Sequence, residues 1–223
     1  MRGEGICVGL LDTGLLPRHP TFHEKNVVYR DFTGEGGDIH NHGTRDAALL
    51  VGEGGVCPEA RLVVARVVSG MGRHMLAAGV RWAIAQGAHI IAMPLGMGRV
   101  DRSAARALAE AAASGIQLFA AAGNRGPDRH LFPAHLPDVV SVTGARRDGS
   151  IISWCCRSAQ VAVVAPGWNV PALGPPGATI SGSSPACVLA AGVAALRLQW
   201  ERHHGPSTTD AKTKACHPPG RAR

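Results

Sequence analysis

Residues 6–14 read Ile-Cys-Val-Gly-Leu-Leu-Asp-Thr-Gly, an apolar run that ends in a carboxylate and a glycine. Strands that are apolar on both faces are typical of a parallel sheet covered by helices on each side. Five similar runs follow, at 61–68, 89–93, 116–121, 139–143 and 161–165. Helices are predicted between and after them, at 73–86, 103–114 and 184–200. This alternation predicts an α/β fold with three layers, α/β/α, around a mainly parallel central sheet.

The composition fits one globular domain with an aliphatic core. Of the 223 residues, 45% are hydrophobic and only 4% are aromatic, which disfavours an aromatic-rich β-sandwich. The sequence has no uncharged apolar run of the length that a membrane span needs. It also has no secretory apolar region near its amino terminus. We therefore expect no membrane partner and a cytoplasmic location.

The net charge of +7 raises the question of nucleic-acid binding. Residues 201–223 carry five Lys or Arg against two acidic residues, which leaves +4 for residues 1–200, without a basic run. A nucleic-acid surface usually shows clustered basic side chains, so we expect no nucleic-acid partner. We interpret residues 1–200 as the functional domain. Residues 201–223 lack hydrophobic periodicity and are predicted to form a basic, disordered tail.

The cysteines show no Cys-x-x-Cys spacing and are expected to be free thiols. Cys7 and Cys187 lie in apolar runs, where small buried thiols are common. The even number of six permits disulfides as the alternative. Free thiols would fit a reducing compartment.

Three polar residues stand where this fold would place a functional site. Asp12 follows the first strand, His42 precedes the apolar stretch 47–51, and Ser184 precedes an Ala-rich helix. Functional groups in such sheets gather at the carboxyl ends of strands. A carboxylate, an imidazole and a hydroxyl in contact can activate the hydroxyl as a nucleophile. Taken singly, they have plainer interpretations as a turn Asp, a surface His and a helix-capping Ser.

The motifs around these residues resemble those of the subtilisin-like serine proteases (subtilases), whose triad follows the order Asp, His, Ser. The similar segments are Val-Gly-Leu-Leu-Asp-Thr-Gly at 8–14, His-Pro at 19–20, His-Gly-Thr at 42–44, Ala-Ala-Ala-Gly-Asn at 120–124, Phe-Pro-Ala at 132–134, Ala-Pro-Gly at 165–167, Ser-Gly-Ser-Ser at 181–184 and Ala-Gly-Val-Ala-Ala-Leu at 191–196. The likeness covers about residues 5–197. It implies a subtilisin-like fold and a serine endopeptidase that acts on polypeptides.

The resemblance implies a role for each catalytic residue. Ser184 would attack the substrate carbonyl, His42 would accept and return the proton, and Asp12 would orient His42. Asn124 and the backbone N–H of Ser184 would bind the oxyanion. Activity is then expected to rise at about pH 6–7, as an imidazole with a pKa of about 6.5 loses its proton.

Substrate binding is also assigned by resemblance. An extended peptide is expected to pair with two backbone segments, and Pro94 replaces a Ser of the family in the first of them. Arg125 would lie at the rim of the pocket for the residue before the scissile bond (P1). It predicts a preference for Asp or Glu there, with a solvated surface Arg as the alternative. The substrate-binding residues are Leu95, Gly96, Ala122, Gly123 and Arg125.

Several residues depart from the family pattern. Pro185 is tolerated in the first turn of a helix, where its missing N–H would be unpaired. Val188 and Leu189 replace a Pro and a His, which would straighten the helix. Together with Pro94, these departures motivate an alternative, a weak or inactive subtilase-fold pseudoenzyme that binds peptides. With no pro-segment ahead of Asp12, we expect a trimmed form, or a chain that folds with a partner or a separate pro-segment.

No cofactor is expected. His40 with His42, and His203 with His204, lack further ligands at metal spacing. No phosphate-binding glycine motif follows a strand. Subtilases often bind structural calcium, but no calcium ligand can be assigned to a residue of this sequence.

Overall fold

The structure is a computed structural model and describes residues 1–38, 40–72 and 74–205. Within these residues the strands are β1 (Cys7–Asp12), β2 (Val27–Asp31), β3 (Arg61–Arg66), β4 (Ile90–Met93), β5 (Gln117–Ala121), β6 (Val139–Ala145), β7 (Val163–Pro166), β8 (Val170–Pro171) and β9 (Thr179–Ile180). The α-helices are α1 (His42–Val51), α2 (Leu76–Ala85), α3 (Arg102–Ala113) and α4 (Ser183–His204). A 3₁₀ turn covers Pro20–Phe22.

Seven strands form one sheet in the order β2-β3-β1-β4-β5-β6-β7. Every neighbouring pair in it is parallel. β8 and β9 form a separate antiparallel pair. The predicted parallel sheet is therefore confirmed.

The sheet lies between two helical layers. Along β1, Val8 and Leu10 pack in a core with residues of α1 and α4, whereas Cys7 and Leu11 pack in a second core with residues of α2 and α3. Side chains alternate between the two faces of a strand, so an apolar run such as β1 fills both cores at once. The expected α/β/α architecture is confirmed.

The order of the strands determines where a site can form. From β1 the chain passes to the edge strand β2 and returns to β3 beside β1, whereas from β4 it continues outward through β5, β6 and β7, so the chain leaves β1 and β4 towards opposite edges of the sheet. Crevices at the carboxyl ends of strands beside such a reversal are the usual ligand sites of open α/β sheets. Asp12 ends β1, Pro94 follows β4, and Ala122 follows β5, the next strand along.

The clearest differences from the prediction are an edge strand and the end of the last helix. β2 is absent from the predicted strands because it lies at the sheet edge, and its half-exposed residues form no apolar run. α4 extends to His204, so residues 201–204 of the predicted tail are helical. The last turn is held by Arg197, which bonds to Glu201 one turn later at 2.7 Å, and by Arg202, which donates to Gly5 O at 2.9 Å. Residues 206–223 lie outside the described residues.

The cysteines within the described part of the chain are buried and unpaired: Cys7, Cys57, Cys155, Cys156 and Cys187. Cys216 lies outside it. None of the helices that the structure describes is both long and apolar enough to cross a membrane.

Candidate active site

Asp12 and His42 meet where the end of β1 faces the start of α1. Asp12 is buried, and its Oδ1 lies 2.7 Å from His42 Nδ1. A Cβ at Gly43 would collide with the backbone oxygen of Gly14, so this glycine permits the helix to approach the strand end. Because a carboxylate only accepts hydrogen bonds, Nδ1 carries the proton and Nε2 of the neutral ring is free to accept one.

Asp38 holds the loop beside this pair. Its two carboxylate oxygens accept hydrogen bonds from Thr13 Oγ1 at 2.9 Å and from the backbone N and Oγ1 of Thr44 at 2.8 and 2.7 Å. These contacts join the segment after β1 to the first turn of α1. The Asp12 and His42 side chains are therefore fixed from both sides.

Asp46 is a third carboxyl at this point, and it is absent from the predicted site. It lies one turn after His42 on α1, with its side chain 1% exposed and its Oδ2 3.6 Å from His42 Nδ1. Neither of its oxygens has a hydrogen-bond partner among the described residues, and the same holds for Asp12 Oδ2. The signal in the sequence is the spacing of four residues, which places two helical side chains on the same face.

The acidic neighbours change the proton affinity of His42. The negative charge of Asp12 raises the pKa of His42 to about 10, against the opposing effect of burial, and Asp46 and Asp38 act in the same direction as Asp12. Burial raises the pKa of Asp46 well above its usual range. A pKa raised in this way would place the rise of activity above the expected pH 6–7.

Ser184 lies in the first turn of α4, half-buried, and its hydroxyl donates to Pro94 O at 2.9 Å. No hydrogen bond joins Ser184 to His42 in this structure. The backbone ahead of the helix is closely packed, because Gly182 donates to Gly167 O at 2.7 Å and a Cβ at Gly167 would collide with Gly182 O. In this way, strand ends fix the start of α4 and with it the hydroxyl.

Asn124 follows β5 and points its side chain at the start of α4. Its Oδ1 accepts hydrogen bonds from the backbone N–H of Ser183 at 2.9 Å and from Cys155 Sγ at 3.1 Å. The backbone N–H of Ser183 can only donate, so the amide atom that faces it must be the oxygen. The other end of the Asn124 amide is therefore Nδ2. No hydrogen bond from Nδ2 to another described residue is present, so its two protons are available to a ligand. Cys155 is a further residue of the site that the sequence does not single out.

His42, Asn124 and Ser184 line one cleft, whose volume is about 270 Å³. Ser184 and Asn124 also border a second cavity of about 170 Å³, which lies between the segments after β4 and β5. Its walls include Leu95, Gly96, Gly123, Arg125 and Leu131. The structure therefore brings three of the four predicted catalytic residues, His42, Asn124 and Ser184, and four of the five predicted substrate-binding residues to adjoining cavities, while Asp12 lies buried behind His42.

The predicted peptide-pairing segments differ in their free backbone groups. Ala122 donates to Val142 O at 2.8 Å and accepts from Leu131 N at 3.0 Å. Gly123 donates to Ser183 Oγ at 3.3 Å and accepts from Cys156 N at 2.9 Å. These two residues already have partners within the chain. The Leu95–Gly96 segment has no backbone hydrogen bond to a described residue, which leaves it open to an extended peptide.

Asp12, His42 and Asp46 are also the residue types that bind metal ions, and their candidate ligand atoms lie within 4.8 Å of one another. A metal at their centre would have to replace the hydrogen bond between Asp12 and His42. We assign no metal to this cluster. The prediction that the protein needs no cofactor stays a prediction.

Comparison with known proteins shows what this chain is similar to. The model of the subtilase family matches residues 3–216. An intracellular serine protease of Paenibacillus polymyxa is 33% identical, over 89% of this chain and 68% of its own length. A thermostable alkaline protease of Halalkalibacterium halodurans is 34% identical, over 87% of this chain and 57% of its own length.

Solved structures give the same result. The self-cleaved protease domain of PatA has a TM-score of 0.81 and 28% identity, over 93% of this chain and 85% of that chain. A cold-adapted subtilisin-like serine proteinase has a TM-score of 0.78 and 32% identity, over 90% of this chain and 77% of that chain.

Proposed function

This chain belongs to the subtilase family of serine proteases, and from that premise we propose that it is an endopeptidase that cleaves polypeptides through Asp12, His42 and Ser184. The observation that carries the proposal is the hydrogen bond between Asp12 and His42 at 2.7 Å, in a cleft that Ser184 and Asn124 also line. The relatives are themselves described as proteases. They do not favour the alternative of an inactive peptide-binding protein.

Attack on the substrate requires the Ser184 hydroxyl to exchange partners. In the resting arrangement it donates to Pro94 O. On substrate binding we expect it to rotate to another staggered position about its Cα–Cβ bond and to donate to His42 Nε2. His42 then takes the proton as Ser184 Oγ bonds to the carbonyl carbon, and Asp12 stabilises the imidazolium that forms. The acyl-enzyme forms when His42 returns the proton to the leaving amine.

The negative charge that develops on the substrate oxygen needs donors in place. The Nδ2 of Asn124 and the N–H of Ser184 fit this role, because Oδ1 anchors the amide and the N–H groups of a first helical turn lack partners within the helix. The amino-terminal end of α4 adds a partial positive charge. No metal or organic cofactor is needed for these steps, and activity that survives a chelator would support that part of the proposal.

The preferred P1 residue is proposed to be a short acidic one. The cavity beside Ser184 is small, and Leu131 forms one wall of it. Arg125 borders the same cavity, is exposed, and forms no ion pair with a described residue. An unpaired guanidinium attracts a carboxylate and repels Lys or Arg.

The P1 proposal is tested with peptides that carry Asp, Asn or Lys before the scissile bond. Arg125→Gln should lower the ratio of kcat/KM for Asp over Asn by about 2–5-fold, the range for an exposed ion pair. Arg129→Gln is the matched control, because Arg129 is exposed on the same loop and does not border the cavity. Best cleavage after Lys would contradict the acidic preference.

The location of the protein is proposed from its cysteines. A cytoplasmic location is supported by the five buried free thiols, which suit a reducing compartment. Polypeptides are the substrate class. A separate pro-segment or partner protein remains part of the proposal and is testable by asking whether purified chain refolds alone after denaturation.

The proposal as a whole is tested with a fluorophosphonate probe, which labels an activated serine. We expect labelling of the wild type that increases from pH 7 to pH 10, following the raised pKa of His42, and none of Ser184→Ala. Thermal unfolding shows whether both proteins are folded. Folded wild type that stays unlabelled across this pH range would refute catalysis by Ser184.

A further inference from the structure

Asp46 presents a buried carboxyl that the proposed mechanism does not use. Its side chain is 1% exposed, and no described residue donates a hydrogen bond to either oxygen. Asp12 Oδ2, in the same cluster, is also without a donor. Two ionised carboxylates can only accept hydrogen bonds, so neither can satisfy the other.

Burial of both as anions is costly. A charge removed from water without a compensating partner shifts toward its neutral form, and two carboxyls that share a site rarely both ionise. Asp12 has its charge compensated by His42 Nδ1 at 2.7 Å and by the Thr13 N–H at 2.6 Å. Asp46 lies 3.6 Å from the same Nδ1, beyond hydrogen-bond length. The proton therefore belongs on Asp46.

We propose that Asp46 is a positioning residue of the site: a neutral carboxyl whose O–H donates to Oδ2 of Asp12 and holds that carboxylate in line with His42. The inference rests on the proposed function. One proton gives a partner both to Asp12 Oδ2 and to the nearer oxygen of Asp46. It also removes a negative charge from beside the imidazole, so His42 loses its proton at a lower pH than it would beside two anions.

The other titratable groups around Asp46 do not supply this hydrogen bond. Asp38, in the loop before α1, is already bonded to Thr13 and Thr44. Cys187 faces the cluster from α4, and burial raises its pKa, so it remains a neutral thiol. Arg45 precedes Asp46 on α1 and lines the outer cleft, with no ion pair to Asp46. His42 is committed to Asp12.

The competing arrangement is an ionised Asp46 that serves as a second counter-ion for the His42 imidazolium. The two arrangements predict different pH midpoints of activity for Asp46→Asn: an unchanged midpoint if Asp46 is neutral, and a lower one if it is ionised. An Asn keeps a donor toward Asp12 and resembles the neutral carboxyl, but it lacks the charge of a carboxylate. Asp46→Leu keeps the branched shape and removes the donor.

The protonation state is measured first, by infrared difference spectroscopy of Ser184→Ala with and without Asp46→Asn. We expect the carbonyl band of a protonated carboxylic acid at pH 7, lost when Asp46 is replaced. Absence of that band would overturn the inference. This measurement needs no catalysis, so it remains decisive if the wild type proves inactive, a result that would refute only the proposed function.

The role in positioning is measured by pH profiles of kcat/KM on a peptide substrate. Asp46→Asn should keep the midpoint of the rise within about 0.5 pH unit, whereas loss of a true negative charge would lower it by about 1–3 units. Asp46→Leu should lower kcat by about 10–100-fold with KM little changed, as for the loss of a hydrogen bond to a charged group. Glu53→Gln, an exposed carboxyl just past the end of α1, is the charge control.

Equal losses in the Asn and Leu variants, or none in either, would overturn the inference. Thermal unfolding at the assay pH shows whether each variant is folded. If Asp46→Leu does not fold, the infrared band and the Asp46→Asn midpoint decide between the neutral and the ionised carboxyl.

Discussion

Replacement of Leu131 by Ala should widen the cavity beside Ser184 and change the P1 residue that the protein accepts. The Leu131 side chain lies between the segments after β4 and β5. A Cβ at Gly96 would come within 2.7 Å of its Cδ1, and a Cβ at Gly123 within 2.8 Å. Leu131 is 8% exposed and borders a cavity of about 170 Å³. The side chain therefore forms a wall that both neighbouring segments contact.

The size of the effect follows from the three carbon atoms that the substitution removes. One methylene in an apolar pocket contributes about 1–3 kcal/mol to discrimination, and the lower end applies here because the cavity is partly open to solvent. Three carbons then give about 3 kcal/mol, or roughly 100-fold in the kcat/KM ratio of a Leu over an Ala substrate. A buried Leu→Ala change costs about 2–5 kcal/mol of folding stability, again toward the lower end beside an existing cavity.

The assay compares peptides that differ only at P1, with Ala, Val, Leu and Phe, for wild type and Leu131→Ala. Leu136→Ala is the matched control, since Leu136 is a partly buried leucine five residues further along the chain that does not border the cavity. We expect the Leu over Ala ratio to rise in Leu131→Ala and to stay unchanged in the control. A folded Leu131→Ala protein with an unchanged ratio would show that this cavity does not hold the P1 side chain.

Three further predictions concern the oxyanion donors and the buried charges. Asn124→Ala should lower kcat by about 10²–10³ with KM little changed, a magnitude known from subtilisin rather than worked out from this structure; a loss confined to KM in steady-state assays would contradict the assignment. Cys155→Ala removes one hydrogen bond to the Asn124 amide and should lower kcat by up to about 10-fold. Cys155→Ser keeps a donor and should restore most of the lost kcat. Equal kcat values for the Ala and Ser variants would exclude a role of Cys155 in anchoring Asn124. The Asp46→Asn variant should gain stability relative to wild type as pH rises, by up to about 1.4 kcal/mol for each pH unit above the ordinary carboxyl pKa. The reason is that a raised pKa of Asp46 in the folded state stabilises the wild type at low pH, and the wild type loses this contribution as pH rises. A difference in unfolding free energy between the two proteins that is flat from pH 4 to pH 8 would contradict a neutral Asp46.

The central strands could be predicted from the sequence because burial on both faces leaves an unbroken apolar run. Residues 6–11 and 139–143 show such runs, and β1 and β6 lie there. β2 could not be found in this way. It pairs with β3 on one side only, and its half-exposed residues, Val-Val-Tyr-Arg-Asp, form neither a long apolar run nor an alternating pattern. The end of α4 had one local signal, the pair Arg197 and Glu201 one turn apart, but its other contact joins Arg202 to the distant Gly5 and could not be predicted.

Only the site residues that belong to a sequence motif could be predicted. Asp12 and His42 were found from strand-end position and resemblance, and they lie in contact. Asp46 had a local signal, the four-residue spacing from His42, but that spacing is common on helices and marks a site only once burial and missing partners are known. Cys155 had no local signal, because its contact with Asn124 joins residues 31 positions apart.

The departures from the family pattern leave the groups that the proposed chemistry requires in place. Pro94 contributes its carbonyl to Ser184, and a proline retains that acceptor while it lacks only the N–H. Pro185 lies in the first turn of α4, where a missing N–H breaks no helical hydrogen bond. Val188 is fully buried in the core beneath the helix. Each change removes either an N–H that the helix does not need or a side chain outside the cleft. The departures therefore alter the packing beneath the site and leave its reacting atoms in place.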